Sequence, residues 1–475
     1  MGGFELSAVV NADNVFLIRH SELEGRWDID YYRPKINALE KKIRKKTTKK
    51  LKDFIVKIAS GATPSVQEEA KFYSTKENGI PFLRVQNLNV SGELSLDGVK
   101  YINQDTHNNY LRRSQVSEHD LLVKITGVGR MAIASVAPSG FDGNTNQHMV
   151  VIKTGSEAQS RYLANYLNLD IIEALATRRS TGATRPALDY PALKSIPIID
   201  GIDFSLLKKA EMQKQLKEQQ AQALLDDIDG YLLNALGITL PVQDNRLEKR
   251  MFIVPFSELT GGRSDSDFYR KFYLESIKSL GTKFGAKSIK DLSINVFQGV
   301  GKDEVEFSEF TLLKVKNIKI NNELDFSDTE FIASIPQQKI LLENDIVSPF
   351  IGEAIKQYKF SNFSQTNGIY TVDNNTGVIR VNQDKCSPRY VCEVLNSAIA
   401  KFQIDRQIGG GGLPFLGASG AKKLLIPLPP IEKQTEITTH ITQIRAQAKQ
   451  LQTEASNLLA SAKADIERMI LGEVA

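Results

Sequence analysis

A chain of 475 residues exceeds one compact core and predicts two to four domains at roughly 100 to 200 residues each. Sixty Lys plus Arg against 56 Asp plus Glu leave a formal charge of only +4, so any surface for a polyanion has to be local. With 41% hydrophobic and 24% charged residues the composition is that of a folded protein, neither disordered nor collagenous, and Cys386, Cys392 and five scattered histidines supply neither a disulfide framework nor a four-ligand zinc site.

In chain order, the first residues lack the basic and apolar regions of a signal peptide, and no run approaches the about 18 apolar residues of a membrane span, so a reducing cytoplasm is the expected location, with no membrane partner. Residues 1–52 form an arm that contains RWDIDYY at 26–32 and then Lys41, Lys42, Arg44, Lys45, Lys46, Lys49, Lys50 and Lys52 with no acid among them. That run fits duplex phosphates and equally a freely solvated linker. Residues 53–200 read as a mixed lobe, with strands over 80–85, 120–125, 131–136 and 149–152 and a helix near 161–177. A helix over 201–240 follows, carrying Leu207, Ala210, Ala221, Leu224, Ile228, Tyr231 and Ala235 on a heptad spacing that Lys214 and Lys217 interrupt.

The next residues repeat the first. RSDSDFY at 263–269 matches RWDIDYY, LLKVKNIKINNEL at 312–324 matches FLRVQNLNVSGEL at 82–94, and RYVCEVLN at 389–396 matches RYLANYLN at 161–168. Asp345 answers Asp120, and the order is kept at offsets of about 220 to 240 residues, which is one duplication of a half-chain and not a solenoid. The second lobe, 241–428, predicts strands over 311–315, 345–350, 354–358 and 369–372 and a helix near 389–405. Residues 429–475 give a second long helix with Ile437, Ile441, Ile444, Ala448, Leu451, Ala455, Leu458, Ala462 and, after Asp465, Met469, spaced alternately four and three apart. Gly237 and Gly472 sit where left-handed C-caps belong. Burying both seams together makes an antiparallel coiled coil of roughly 50 to 60 Å with a lobe near each end, more than one turn of duplex DNA at about 34 Å.

Enzyme signatures are lacking. The one Pro-Pro pair, Pro429-Pro430, follows Leu and has none of the Asn/Asp-Pro-Pro-aromatic pattern of amino-methyltransferases, and the phosphate-loop-like residues 281–288 miss the Gly-Lys-Ser and read as a surface turn. Glu69-Ala70-Lys71 has a nuclease-like spacing that arises often by chance, and a lone His148 is more often structural than a base. Phosphates need Lys or Arg, and base edges are read by Arg, Lys, Asn and Gln, so polar basic loops carry the better signal. Lobe one offers Arg112, Arg113, Lys124, Arg130, Asn146, Gln147, Arg178, Arg179 and Arg185, and lobe two offers Lys314, Lys316, Lys356, Asn367, Arg406 and Gln407.

With these residues in view the chain resembles the specificity (S) subunit of type I restriction-modification systems. The resemblance rests on the duplicated Arg-x-Asp motif, the turn Gly61-Ala62-Thr63-Pro64, the segment 83–88, His119-Asp120-Leu121-Leu122, Asn146-Gln147, and Pro427-Leu428-Pro429-Pro430 before a long helix. Departures are Lys433 in place of Glu before Gln434, Pro197-Ile198-Ile199-Asp200 in place of a full proline motif, and Gly368 in place of Gln after Asn367. The resemblance implies an α+β chain of two tandem target-recognition domains separated by two long helices, related by a pseudo-two-fold. It implies a non-catalytic reader of double-stranded DNA that takes one half of a split asymmetric site per lobe and holds no cofactor. Two methyltransferase subunits would dock and use S-adenosylmethionine, and restriction subunits would add ATP and Mg. The other classes are a coiled-coil adaptor that binds proteins and a single-chain DNA-modifying enzyme.

Overall fold

The computed structural model describes residues 15–23, 26–182, 184–244, 246, 248, 252–256, 265–301, 303–364, 367–408 and 412–473. The expectations placed on Ala183, Arg263, Ser264, Gln365, Thr366 and 409–411 lie outside the described residues. Helices and sheets are mixed throughout, and the chain divides into two compact units, Met1–Leu216 with Glu454–Ala475 and Lys217–Thr453. Among the described residues no helix is long and apolar enough to cross a membrane.

In the first unit the strands are β1 (Lys57–Ser60), β2 (Tyr73–Ser74), β3 (Ile80–Leu83), β4 (Lys100–Ile102), β5 (Gln115–Ser117), β6 (Leu121–Lys124), β7 (Ala134–Val136), β8 (Asp142–Thr145) and β9 (Met149–Lys153). They form one sheet in the order β1-β9-β6-β7 and another in the order β2-β4-β3-β8-β5. Among the described strands of this unit only β3 and β8 pair in parallel. Alternation along β6 shows why its sequence is an unbroken apolar run: Leu121 and Val123 pack with Leu163, Tyr166 and Leu167 of the helix Glu157–Leu167, while Leu122 faces Leu83 and Val116 of the second sheet.

The second unit contains β10 (Ala286–Ser288), β11 (Ser293–Gln298), β12 (Glu304–Val305), β13 (Phe310–Leu313), β14 (Glu330–Ile332), β15 (Ile346–Pro349), β16 (Ser361–Asn362), β17 (Ile369–Val372), β18 (Thr376–Val381) and β19 (Leu425–Pro427). Its sheets run β11-β18-β15-β16 and β12-β14-β13-β17, with β13 parallel to β17, and β10 pairs with β19. Ile346 and Val347 of β15 divide between two cores as Leu121 and Leu122 do in β6.

Two expectations change here. Each predicted lobe helix is two helices, Glu157–Leu167 with Asp170–Arg179 and Pro388–Leu395 with Ala398–Ile408, because an asparagine at each break leaves the helix to bond the backbone of β7 or of the residue that leads into β16. Asn168 clamps both backbone groups of Ala134 (3.0 and 2.7 Å), and Asn396 clamps both of Phe360 (2.9 and 2.7 Å). The strand expected over 354–358 is the short helix Glu353–Gln357, where Ile355 is buried as an anchor and Tyr358 turns left-handed at φ 47°. Asn87 and Asn317, matched in the sequence, fold their segments into tight turns, each accepting from the backbone three residues back (2.9 and 2.8 Å) and donating to two carbonyls further on.

The long helices span Ser205–Leu236 and Ile431–Leu471. In the first unit Leu207 and Ala210 share a core with Ala462, Ile466 and Ile470; in the second, Leu232 and Leu236 share one with Ile437 and Ile441. Met469 is exposed and Ile470 buried, and Leu232 and Leu236 are buried deeper than Tyr231 and Ala235, so both seams slip by one at their C-terminal ends. There the helices cover a globular core, whose contacts follow the 3.6-residue period and not the 3.5 of a heptad. Both helices end alike: Gly237 (φ 66°) and Gly472 (φ 71°) donate to Asn234 and Met469, and Ile238 and Glu473 reach back to Leu233 and Arg468. This satisfies the last carbonyls with a left-handed residue that only Gly adopts cheaply. Gly237→Ala or Gly472→Ala is expected to cost about 1 kcal/mol, measurable as a lower urea midpoint with unchanged slope.

The basic run is part of the first unit's fold. It covers the end of the helix Pro34–Arg44 and the following turn, with Ile43 and Leu51 fully buried in the core. Four of its cations pair locally, Lys41 with Glu22, Lys42 with Glu473, Arg44 with Glu40 and Lys49 with Asp200. A free linker is therefore not what these residues form.

Candidate nucleic-acid interface

β1 ends at a glycine because the chain passes directly over β8. A Cβ on Gly61 would stand 1.7 Å from the carbonyl oxygen of Thr145, and the close approach lets the Gly61 N–H donate to Asn146 (3.2 Å). Loop 61–64 thereby meets 146–148, where the Thr63 hydroxyl donates to Gln147 Oε1 (2.6 Å) and leaves the exposed Gln147 amide nitrogen directed by a fixed partner. Asn146 itself is buried and accepts from the His148 N–H (3.1 Å). Arg185 lies 3.3 Å from His148 Nε2, and burial, with this cation, holds the imidazole below its ordinary pKa and hence neutral near pH 7. Arg113 donates to the Gly61 carbonyl (3.3 Å). Arg113, Thr63, Gln147, His148 and Arg185 thus converge from four loops, with exposed Arg112 beside them. Together they offer donors and acceptors of the kind that read base edges, with cations for phosphate.

Four expected contacts of lobe one are occupied inside the fold. Lys124 is buried, donates to the Val128 carbonyl (2.7 Å) and has its pKa lowered by burial, so it fixes the turn 127–129. Arg130 spends its guanidinium on Asp170 and the Asn168 carbonyl (2.6 Å). Arg178 and Arg179 have side chains only 3% exposed and converge on Glu40 at 2.6 and 2.5 Å, with Arg178 also 4.1 Å above the Tyr31 ring. Burial alone would raise the Glu40 carboxyl, but Arg179, Arg44 and Arg178 hold it below its ordinary value. At the end of a helix such arginines look like exposed C-terminal cations, and only packing on the helix Pro34–Arg44 buries them.

Lobe two repeats the scaffold with other side chains. A Cβ on Gly299 would stand 1.9 Å from the Val372 carbonyl oxygen, and Val300 donates to that same oxygen (2.9 Å). Lys314 is held by Glu304 (2.6 Å) and Glu330, Lys316 by Asp328 (2.9 Å) and Glu330 (3.4 Å), and Lys356 by Glu353 (2.8 Å). Arg406 lies over the Phe268 ring at 3.8 Å and donates to its carbonyl (2.8 Å), and Gln407 is half-buried. These arrangements remove Lys314 and Arg406 from the expected set and leave Lys316 and Lys356 exposed but paired. Asn367 is exposed on the approach to β17, its carbonyl accepting from Tyr370 (3.4 Å). Lys339 went unpredicted. It donates to the Gln298 carbonyl at the end of β11, the part Arg113 plays at the end of β1, and burial lowers its pKa. No motif marks it, because the segments 112–114 and 337–339 share no sequence.

No family model matches the chain, and no curated protein matches it. Solved structures do. A chain from a study of complex assembly and conformational transition of the type I R-M system aligns at a TM-score of 0.50 and 11% identity, over 90% of this chain and 97% of that one. The S subunit of a type I restriction-modification system from M. genitalium and the HsdS subunit from Thermoanaerobacter tengcongensis align over 90% of this chain and 95% and 96% of theirs, each at 12% identity and a TM-score of 0.37. Across nine-tenths of its length, then, this chain has the fold of that chain from the type I R-M system.

Proposed function

We propose that this chain is the DNA-recognition subunit of a type I restriction-modification complex, in which residues 53–200 and 241–428 each read one half of a split, asymmetric site. In this reading the halves descend from one duplicated unit, and the helices within 201–240 and 429–475 pair as an antiparallel coiled coil that sets the unspecified gap. One observation carries the proposal: among the described residues both units share a four-stranded sheet of one order, a second sheet that differs by the edge strand β5, one parallel strand pair and the same asparagine clamps, yet place different side chains on the loops around Gly61 and Gly299. One scaffold with two loop chemistries suits two different half-sites, and joining them converts two weak encounters into one by raising effective concentration.

Catalysis belongs to partners. Two methyltransferase subunits would dock on the chain and flip and methylate adenine with S-adenosylmethionine, and restriction subunits with ATP and Mg would complete the assembly in the cytoplasm. Modified-base sequencing of source-cell DNA with and without the gene tests the reading. Loss of one split adenine-methylation motif on deletion supports it; retention of every motif in cells with an active system contradicts it. Within that motif, Gln147→Ala or Arg185→Ala is expected to cost about 1 to 3 kcal/mol and relax one half-site only. Equal weakening at both halves would make the residue a phosphate contact.

A further inference from the structure

Next to loop 61–64 lies a shallow groove walled by Lys57, Arg112, Arg113 and Lys153, with Gln115 and Ser117 between them. The β1–β9 register sets Lys57 directly opposite Lys153, an arrangement of like charges that destabilises a sheet. One carboxylate answers four cations: Asp120 pairs with Lys153, which also donates to the Ser117 hydroxyl (3.2 Å). Arg113 commits one nitrogen to the Gly61 carbonyl. Lys57 and Arg112 are exposed, and neither has an ion-pair partner among the described residues.

The fold does not require this excess. At the same register in the second unit Asn295 stands opposite Arg380, which Asp345 holds at 2.7 Å, and Lys339 alone occupies the place of the two arginines. An uncompensated cluster kept in one unit and absent from its counterpart is what an anion site costs when empty. We infer that the groove seats one backbone phosphate of the duplex, directly beside the loop that reads bases. The inference rests on the DNA-reading proposal and adds to it that the first half-site is gripped with a stronger salt dependence than the second.

The test uses the full chain and two labelled duplexes, one carrying the motif and one scrambled, titrated by fluorescence anisotropy between 50 and 200 mM salt. For the double variant Lys57→Gln, Arg112→Gln, the log-log salt slope should become shallower by about 0.9, the value for one phosphate. Affinity should fall by the same factor for both duplexes, and Tm should hold or rise because the opposed lysines are gone. An unchanged slope with motif binding intact overturns the groove and leaves the reading standing. A lower Tm accompanying the loss makes the cations structural, and wild-type protein without salt-dependent DNA binding overturns the reading itself. Inorganic phosphate that displaces the duplex better than chloride at equal ionic strength would assign the groove to a free anion instead.

Discussion

Replacing Glu40 by Gln is expected to destabilise the first unit by about 3 to 5 kcal/mol, because it strips the counter-charge from two buried guanidiniums at once. Arg178 and Arg179 reach the two oxygens of this carboxylate from the end of the helix Asp170–Arg179, and Arg44 approaches from its own helix. Neither arginine has water to fall back on. Amide exchange during urea unfolding, read in Pro34–Arg44 and Asp170–Arg179, isolates the effect from the second unit. The dependence on pH has a definite sign. Glu40 has a folded pKa below its unfolded one, so its contribution is fully present above the ordinary carboxylate range and is lost as pH falls through the folded value. The gap between wild type and Glu40→Gln should therefore close in acid. A gap that persists unchanged there would mean that shape, not charge, holds the cluster.

Gly61→Ala and Gly299→Ala form a matched pair with a large functional effect. Each Cβ would lie within 2 Å of a backbone carbonyl oxygen, 1.7 Å at Thr145 and 1.9 Å at Val372, and no rotamer relieves a clash between backbones. Loop 61–64 then has to lift, which parts Thr63 from Gln147 and Arg113 from the Gly61 carbonyl. In a reader with one half-site per lobe, each variant should lose discrimination in one half and keep it in the other, with specific affinity falling toward the non-specific level by roughly 10³-fold or more. Binding to duplexes with one half scrambled measures this directly. If Gly61→Ala still distinguishes both halves, loop 61–64 is not part of the interface.

Local sequence by itself determined the regular parts of this protein. The apolar runs at β6, β9 and β15 announce strands buried on both faces, the spacing of Ile437, Ile441 and Ala448 announces a helix seam, and Gly237 and Gly472 announce its ends, because each signal acts within a few residues. The repeated Asn87 and Asn317 likewise point to one scaffold used twice. Short strands such as β1 and β11 mix polar and apolar residues and gain their partners only through distant β9 and β18, so no local pattern reveals them. Which cations face solvent was decided by tertiary structure alone. Arg178, Arg179, Lys124 and Lys314 look the same in sequence as Arg112 and Arg185, and what separates them is a carboxylate or carbonyl that occupies the cation, brought from up to 139 residues away. Charge is written in the sequence, but its availability depends on burial and pairing, which are properties of the packed chain.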